Sequence, residues 1–317
     1  MLTKRVCLVL GAGASAPYGF PTGAQLLDFA DHPDDGWWPL AAQLLRATPE
    51  YHREFVRERR VSGAESLDEF VGRQARFKEY AKLLIAYRIG QAEQRDNIIG
   101  ATGGPLDWMT FFIRRLIEGV QLEDLGKAQL SVVTFNFDRC FEETLFLRLS
   151  ANYRMPDESA AQARMRIATA YKDWQWPIVH VHGSLGPLED LAGPGRAYEP
   201  THDPEKVEGA AQRLTLLDEA QQDSQLFQRA RQLIRTSEVT LFLGFGFHRL
   251  NCRRVLPSPW DPAQPAVYGT VQGMSAGRIR KAKDYFRTGD PRGGPTPQLF
   301  PEECLTLLRE FEDIFSD

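Results

Sequence analysis

The chain alternates between short, continuous apolar runs and longer amphipathic stretches. Apolar runs without polar interruption are typical of strands that are buried on both faces of a parallel sheet. The stretches between them have helical periodicity, so the sequence predicts an α/β fold with a doubly wound, mostly parallel, Rossmann-like sheet. The predicted strands are residues 5–10, 130–136, 177–183, 239–245 and 266–271.

The spacing of these strands is uneven. More than 100 residues separate the first two, and nearly all of them have helical patterns, including a predicted helix that starts at a Ser66-x-x-Glu69 capping box. We expect an inserted all-helical subdomain and, before the fourth strand, a second insertion whose first half is loop and whose second half is helix. The expected division is 1–35, 126–186 and 236–317 for the sheet domain, 36–125 for the helical subdomain and 187–235 for the second insertion.

Composition narrows the function classes without choosing one. The 317 residues are 43% apolar and 25% charged, as in ordinary folded proteins, and a net charge of -4 argues against a surface that binds nucleic acid throughout. The N-terminal five-residue apolar run is too short for a signal peptide or a membrane span, so we expect a cytoplasmic protein. No cysteine lies within four residues of another, which argues against a structural zinc site; they are Cys7, Cys140, Cys252 and Cys304.

A glycine-rich turn, GAGAS, follows the first strand. Gly11 and Gly13 lack Cβ atoms, so the backbone could approach a pyrophosphate with its amides pointing at the phosphate oxygens; the alternative is a tight turn without a ligand. The spacing also fits the dehydrogenase pattern GxGxxA, which needs a second strand ending in an acidic residue about 20 residues later. Asp31, Asp34 and Asp35 follow no strand pattern, which weakens the redox interpretation.

Polar side chains follow the second and third strands. Asn136 and Asp138, in TFNFD, share one side if the backbone stays extended, and such a pair can bind hydroxyl groups or a carboxamide. Asp138 could instead cap the helix that follows. In VHVHGS, His180 fits a core histidine satisfied by a backbone carbonyl, whereas His182, followed by Gly183, fits a general base at an exposed strand end.

In this order the motifs resemble those of the SIR2 (sirtuin) superfamily. The matches are GAGAS at 11–15, GFP at 19–21, TFNFD at 134–138, HG at 182–183 and the glycine loop from Gly244. Deacylases of the family carry a zinc subdomain with two CxxC pairs. This sequence has none, so we expect neither a zinc-dependent protein deacylase nor a metal site. The chain is similar to the bacterial SIR2-like branch, which cleaves NAD+ and commonly serves in anti-phage defence.

The resemblance implies an NAD+ glycohydrolase that takes NAD as substrate and releases nicotinamide and ADP-ribose or a cyclic form. Asn136 would lie at the nicotinamide ribose or the attacking water, Asp138 at the carboxamide, and His182 would be the base. Two other functions stay open: a non-catalytic module that senses NAD or ADP-ribose for a partner protein, and a dehydrogenase. The remaining expected NAD contacts are Gly11, Ala12, Gly13, Ser15, Phe20, Pro21, Thr134, Gly183, Gly244 and Gly246.

The expected partners follow from the effect that NAD+ cleavage would have on the cell. A constitutive NADase would deplete its own cell, so we expect restraint by homo-oligomerisation, by a separate activating or sensor protein, or by both. The helical subdomain is the expected interface. Its arginines at Arg53, Arg57, Arg59 and Arg60 fit a solvated helix face better than a nucleic-acid site. Nucleic acid is therefore expected to act indirectly if at all, and no membrane contact is expected.

Overall fold

The computed structural model of the protein describes residues 2–189, 195–216, 224–258, 260, 265–287 and 294–315. Within them, six strands form one sheet: β1 (Val6–Leu10), β2 (Leu130–Thr134), β3 (Ile178–His180), β4 (Val239–Leu243), β5 (Ala266–Thr270) and β6 (Gln298–Phe300). All neighbours pair in parallel, in the order β3-β2-β1-β4-β5-β6. The expectation of a parallel, Rossmann-like α/β sheet is confirmed.

The first five strands lie where apolar runs predicted them, with two differences. β6 was missed because it has only three residues, next to two prolines, and a run so short has no recognisable period. β3 is shorter than predicted and ends at His180, so His182 lies in a turn beyond the strand.

The strand order creates a crevice at the carboxyl edge of the sheet. From β1 the chain adds β2 and β3 on one side, and from β4 it adds β5 and β6 on the other. β1 and β4 are adjacent, with Leu10 paired with Leu243 at their carboxyl ends. In open parallel sheets, ligands bind where the strand order reverses. The turns after β1 and β4 therefore define the candidate site.

Side chains of β1 alternate between two apolar cores, one on each face of the sheet. Val6, Leu8 and Leu10 pack in one core, and Cys7 and Val9 pack in the other. Because helices cover both faces, neither side of a strand meets water, and the strands are continuously apolar in sequence.

Most of the described helices lie between β1 and β2. That segment contains α1 (Ala12–Ser15), α2 (Gly23–Asp31), α3 (Trp37–Leu45), α4 (Pro49–Ser62), α5 (Leu67–Arg73), α6 (Lys78–Ala92), α7 (Arg95–Ala101) and α8 (Trp108–Ile117). The later helices are α9 (Cys140–Asn152), α10 (Ala160–Tyr171), α11 (Pro204–Gln212), α12 (Gln225–Thr236), α13 (Arg249–Val255), α14 (Ala276–Arg287) and α15 (Cys304–Glu310). Among the described residues, no helix has the length and apolar character needed to span a membrane.

The structure differs from two of the helical predictions. Ser66 caps α5 as predicted, accepting a hydrogen bond from the backbone nitrogen of Glu69, but the helix ends at Arg73 and a 3-10 turn precedes α6. In the second insertion, α11 forms within the segment predicted as loop, because Asp203 caps it and a proline occupies its first turn. The helix predicted to follow is α12, and residues 217–223 of that prediction lie outside the described residues.

A buried ion network ties the helices before β2 to the sheet. Glu93, which follows α6, is fully buried, and Arg139 donates two hydrogen bonds of 2.7 and 2.6 Å to its carboxylate. Arg196 donates to the same carboxylate. Arg139 also donates to three carbonyl oxygens within residues 187–197. Since Arg139 directly follows Asp138 in the chain, this network fixes the backbone beside a candidate site residue.

Candidate functional site

A cavity of about 390 Å³ opens at the carboxyl edge of the sheet, where the strand order reverses. Gly13 and residues 244–246 line it on one side, and Thr270, Gln272 and Glu303 line it towards β5 and β6. Its volume lies within the range of small-molecule sites. This space is named the edge cavity below.

The turns after β1 and β4 cross in direct contact, and their glycines make the crossing possible. The backbone nitrogen of Gly11 donates to the Leu243 carbonyl oxygen at 3.0 Å, and that of Gly13 donates to the Gly244 carbonyl oxygen at 3.1 Å. A Cβ on Gly11 would lie 2.6 Å from the Gly244 carbonyl oxygen. These two amides are engaged within the protein, which differs from the expectation that they point at a pyrophosphate. The reason is the close approach of the second turn, which the sequence did not reveal.

Gly244 is the position in this crossing that tolerates a side chain least. Its φ is +58°, and a Cβ there would overlap the backbone nitrogen of Ala14. We expect Gly244→Ala to lower the free energy of unfolding by about 2–3 kcal/mol, as measured by urea denaturation. Gly246→Ala is the matched control, because a Cβ there meets open space; its expected change is below about 0.5 kcal/mol. Equal stability of the two variants would contradict this geometry.

Asn136 and Asp138 converge on Ser15, at the end of α1. Asn136 Nδ2 donates to Ser15 Oγ at 3.1 Å and to the Gly11 carbonyl oxygen at 3.0 Å. Ser15 Oγ in turn donates to Asp138 Oδ1 at 3.0 Å. All three side chains are buried. The polar motif that follows β2 is thereby held against the glycine turn that follows β1.

Burial governs the charge of Asp138. Loss of hydration raises the pKa of its carboxyl group to about 6, although hydrogen bonds from the Cys140 backbone nitrogen and from Ser15 favour the ionised form. The bond from Cys140, at 3.0 Å, lies at the first residue of α9, but the N-cap of this helix is Arg139 and not Asp138 as the alternative interpretation expected. The structure shows this contact and the contact with Ser15 together, so Asp138 joins α9 to the glycine turn.

His182 is buried, and the prediction of an exposed strand end was wrong. The segment after α11 folds over it: the backbone nitrogen of Thr215 donates to the His182 carbonyl oxygen at 2.8 Å. His182 Nδ1 donates to the Thr215 carbonyl oxygen at 3.2 Å, which leaves Nε2 unprotonated. Burial lowers the pKa of the ring to about 4, so the imidazole is neutral at physiological pH. The adjacent Gly183 has a φ of +75°, and a Cβ there would overlap the Arg213 carbonyl oxygen.

His180 has the backbone partner predicted for a core histidine and a second partner that was missed. Its Nδ1 donates to the Asn136 carbonyl oxygen at 3.0 Å, and its Nε2 donates to Glu142 Oε1 at 2.6 Å. Burial lowers the pKa of His180, but the Glu142 carboxylate outweighs burial and the net pKa is raised. The resulting ion pair holds the backbone of Asn136 in place. No sequence signal marks Glu142, because its reach to His180 depends on how α9 packs beside β3.

His182 does not line the edge cavity, but contacting aromatic rings join it to a residue that does. Phe245 lines the cavity, and its ring centroid lies 4.9 Å from that of Phe135. The Phe135 ring centroid lies 5.6 Å from that of His182. Phe135 was not predicted to take part in the site, although its position inside TFNFD, next to Asn136, is the signal that could have identified it.

The other expected NAD contacts divide between the cavity and the protein interior. Gly13, Gly244 and Gly246 line the edge cavity. Phe20 packs in the apolar core beside the buried Pro21, so the expectation that Phe20 covers a nicotinamide does not fit this arrangement. Its turn directs the aromatic ring inward, and the nearby side chains of Pro17 and Thr22 line the cavity instead. Thr134 Oγ1 accepts a hydrogen bond of 3.1 Å from the Asn136 backbone nitrogen, while Ala12 is half-buried in the first turn.

Comparison with known proteins adds one match. Residues 130–258 match the family model described as a SIR2-like domain. This range contains Asn136, Asp138, His182 and the 244–246 turn, and the first glycine turn precedes it. No curated protein matches the chain significantly. In the part of the chain that the structure describes, no group of three or more His, Cys, Asp or Glu side chains is placed to hold a metal ion.

Proposed function

We propose, from the premise that this chain belongs to the SIR2-like superfamily, that it hydrolyses the bond between nicotinamide and ribose in NAD+. A SIR2-like domain indicates an activity related to NAD. The observation that carries the hydrolase proposal is the convergence of Asn136 and Asp138 on Ser15, directly beside the Gly13 turn of the edge cavity.

The edge cavity would hold the dinucleotide along the carboxyl edge of the sheet. In this placement, the pyrophosphate would lie by Gly13 and residues 244–246, which line the cavity. The adenosine extends towards Thr270 and Gln272, at the end of β5. The nicotinamide ribose then points towards β2 and Asn136, because β2 lies on the opposite side of β1 from β4.

Hydrolysis breaks the bond between C1′ and the nicotinamide nitrogen and forms a bond between C1′ and a water oxygen. Nicotinamide leaves with the bonding electrons, and positive charge develops on the ribose in the transition state. Both Nδ2 hydrogens of Asn136 are used within the protein, so its Oδ1 can accept a hydrogen bond from a ribose hydroxyl or the attacking water. Asp138 would bind the carboxamide, and its negative charge would favour the transition state.

The proton of the attacking water would go to His182 Nε2. The low pKa leaves this nitrogen unprotonated but makes it a weak base, and His182 contacts Phe135, which in turn contacts the cavity residue Phe245. We propose that NAD+ binding displaces the Phe135 ring. Because His182 does not line the edge cavity, a second candidate function stays open: a non-catalytic module that binds NAD or ADP-ribose and regulates a partner.

Chromatography of NAD+ after incubation with the purified protein separates these candidates. The hydrolase proposal expects nicotinamide and ADP-ribose, or its cyclic form, in equal amounts, either from the protein alone or after addition of the neighbouring gene product. Tight binding without nicotinamide release during long incubation would favour the sensing module. Reduction of NAD+ by a candidate substrate would support the dehydrogenase alternative.

We also propose that the activity is restrained by self-assembly or by a separate protein, as suits an effector of anti-phage defence. Two considerations support it: the resemblance of the motifs, and the cost to a cell of unrestrained NAD+ loss. The Glu93–Arg139 pair offers a route for such control, because it joins the helices before β2 to the residue after Asp138.

A further inference from the structure

A second cavity, of about 520 Å³, lies between α5 and α13 and is named the basic cleft. It brings together two elements that are far apart in sequence: one from the helices before β2, and one that begins shortly after the 244–246 turn. Four arginines line it against two acidic residues; they are Arg73, Arg249, Arg253 and Arg254, with Asp68 and Glu69.

Positive charge is in excess in this cleft. Arg73 pairs with Glu69 at 2.7 Å, one turn away on the same helix. Arg249 and Arg253 are exposed, and among the described residues neither has a carboxylate partner within an ion-pair distance. Exposed guanidinium groups at the wall of a cavity of small-molecule size can bind an anion through paired hydrogen bonds.

We propose that the basic cleft binds the phosphate groups of an anionic ligand through Arg249 and Arg253. Phosphate fits better than a single carboxylate, because two guanidinium forks from one helix can each form paired hydrogen bonds to different oxygens of one phosphate chain. This chemistry occurs both in free nucleotides and in the backbone of a single-stranded nucleic acid. The cleft volume accommodates one nucleotide-sized unit of either.

One arginine of the basic cleft, Arg254, also influences the pKa of His182. The Arg254 guanidinium carbon lies 5.8 Å from the centroid of Phe227, whose ring centroid lies 5.6 Å from that of His182. Burial lowers the pKa of His182 most, and the positive charge of Arg254 lowers it further. An anion in the cleft offsets that charge and makes His182 a stronger base. This consequence for activity rests on the proposed function, whereas binding in the cleft does not.

The test is calorimetric titration of the whole chain at low salt with inorganic pyrophosphate and, separately, with a single-stranded 12-nucleotide DNA. We expect one of these probes to bind, and the double variant R249Q/R253Q to bind it at least tenfold more weakly. R57Q is the matched control, because Arg57 is an exposed arginine on α4, and its affinity should equal that of the wild type. Both substituted arginines are exposed, so thermal melting should show that folding is intact.

The two sources of phosphate give different results. Pyrophosphate binding at one site per chain assigns the cleft to a free nucleotide-like ligand. Tighter, strongly salt-dependent binding of the DNA assigns it to a nucleic-acid backbone. If neither probe binds the wild type, or if R249Q/R253Q binds as tightly as R57Q, the basic cleft is not a phosphate site. Absence of NAD+ cleavage by every form, with and without the neighbouring gene product, would overturn the proposed hydrolase and leave the binding result standing.

Discussion

Replacing Asn136 by alanine is expected to lower the rate of nicotinamide release from NAD+ by about 10²–10³-fold. Within the TFNFD motif, only the side-chain amide of Asn136 contacts both Ser15 Oγ and the Gly11 carbonyl oxygen. Its Nδ2 therefore aligns the glycine turn, and its Oδ1 remains for the ribose or water. Loss of those two hydrogen bonds should also cost about 1–3 kcal/mol of stability. Initial rates at saturating NAD+, measured by chromatography, give the effect on catalysis.

Asn152→Ala is the control for this experiment. Asn152 lies at the exposed end of α9, where its Nδ2 donates to the Arg148 carbonyl oxygen at 2.8 Å, away from the edge cavity. This variant should retain the wild-type rate. A correctly folded Asn136→Ala protein that keeps more than about a tenth of the wild-type rate would remove Asn136 from the catalytic machinery.

Replacing Glu93 by alanine is expected to lower the free energy of unfolding by about 3–5 kcal/mol. The change leaves Arg139, which is 1% exposed, without the carboxylate that accepts two of its hydrogen bonds, and it removes the partner of Arg196. Burial already lowers the pKa of the Arg139 guanidinium, which shows how poorly this environment solvates its charge. Urea denaturation followed by circular dichroism measures the loss.

Glu54→Ala provides the matched control on the surface. Glu54 accepts a hydrogen bond of 2.7 Å from Arg76, but the two side chains are 46% and 53% exposed, so water replaces the lost contact. The expected change is below about 1 kcal/mol. If Glu93→Ala falls within the same range, the buried network contributes no more than a surface ion pair, and it does not hold the backbone beside Asp138 in place.

Local sequence patterns were sufficient to predict most strands of the sheet. The runs around Val6–Leu10, Leu130–Thr134 and Val239–Leu243 are apolar on both faces, and a segment with that pattern has few alternatives to a central parallel strand. Ser66 could be predicted as a helix cap because the contact joins residues three apart. β6 could not be predicted, since three residues next to prolines have too little pattern to distinguish strand from loop.

The arrangement of the candidate site was predictable only in part. The two-residue alternation of TFNFD places Asn136 and Asp138 on one side, and both reach Ser15. The predicted exposure of His182 at a strand end is wrong, because the strand ends at His180 and a segment more than 30 residues later covers His182. Whether a side chain near a strand end meets water or protein depends on which distant segment folds over it.

By itself, the sequence determined the doubly wound sheet, the edge at which its polar motifs collect and the side that Asn136 and Asp138 share, because these depend on periodicity and on contacts within a few residues. The tertiary structure alone decided three other properties. These are the engagement of Gly11 and Gly13 by the second turn, the burial that lowers the pKa of His182, and the pairing of Glu93 with Arg139. Each depends on the desolvation or close approach of groups that lie dozens to hundreds of residues apart, and no local pattern records such distances.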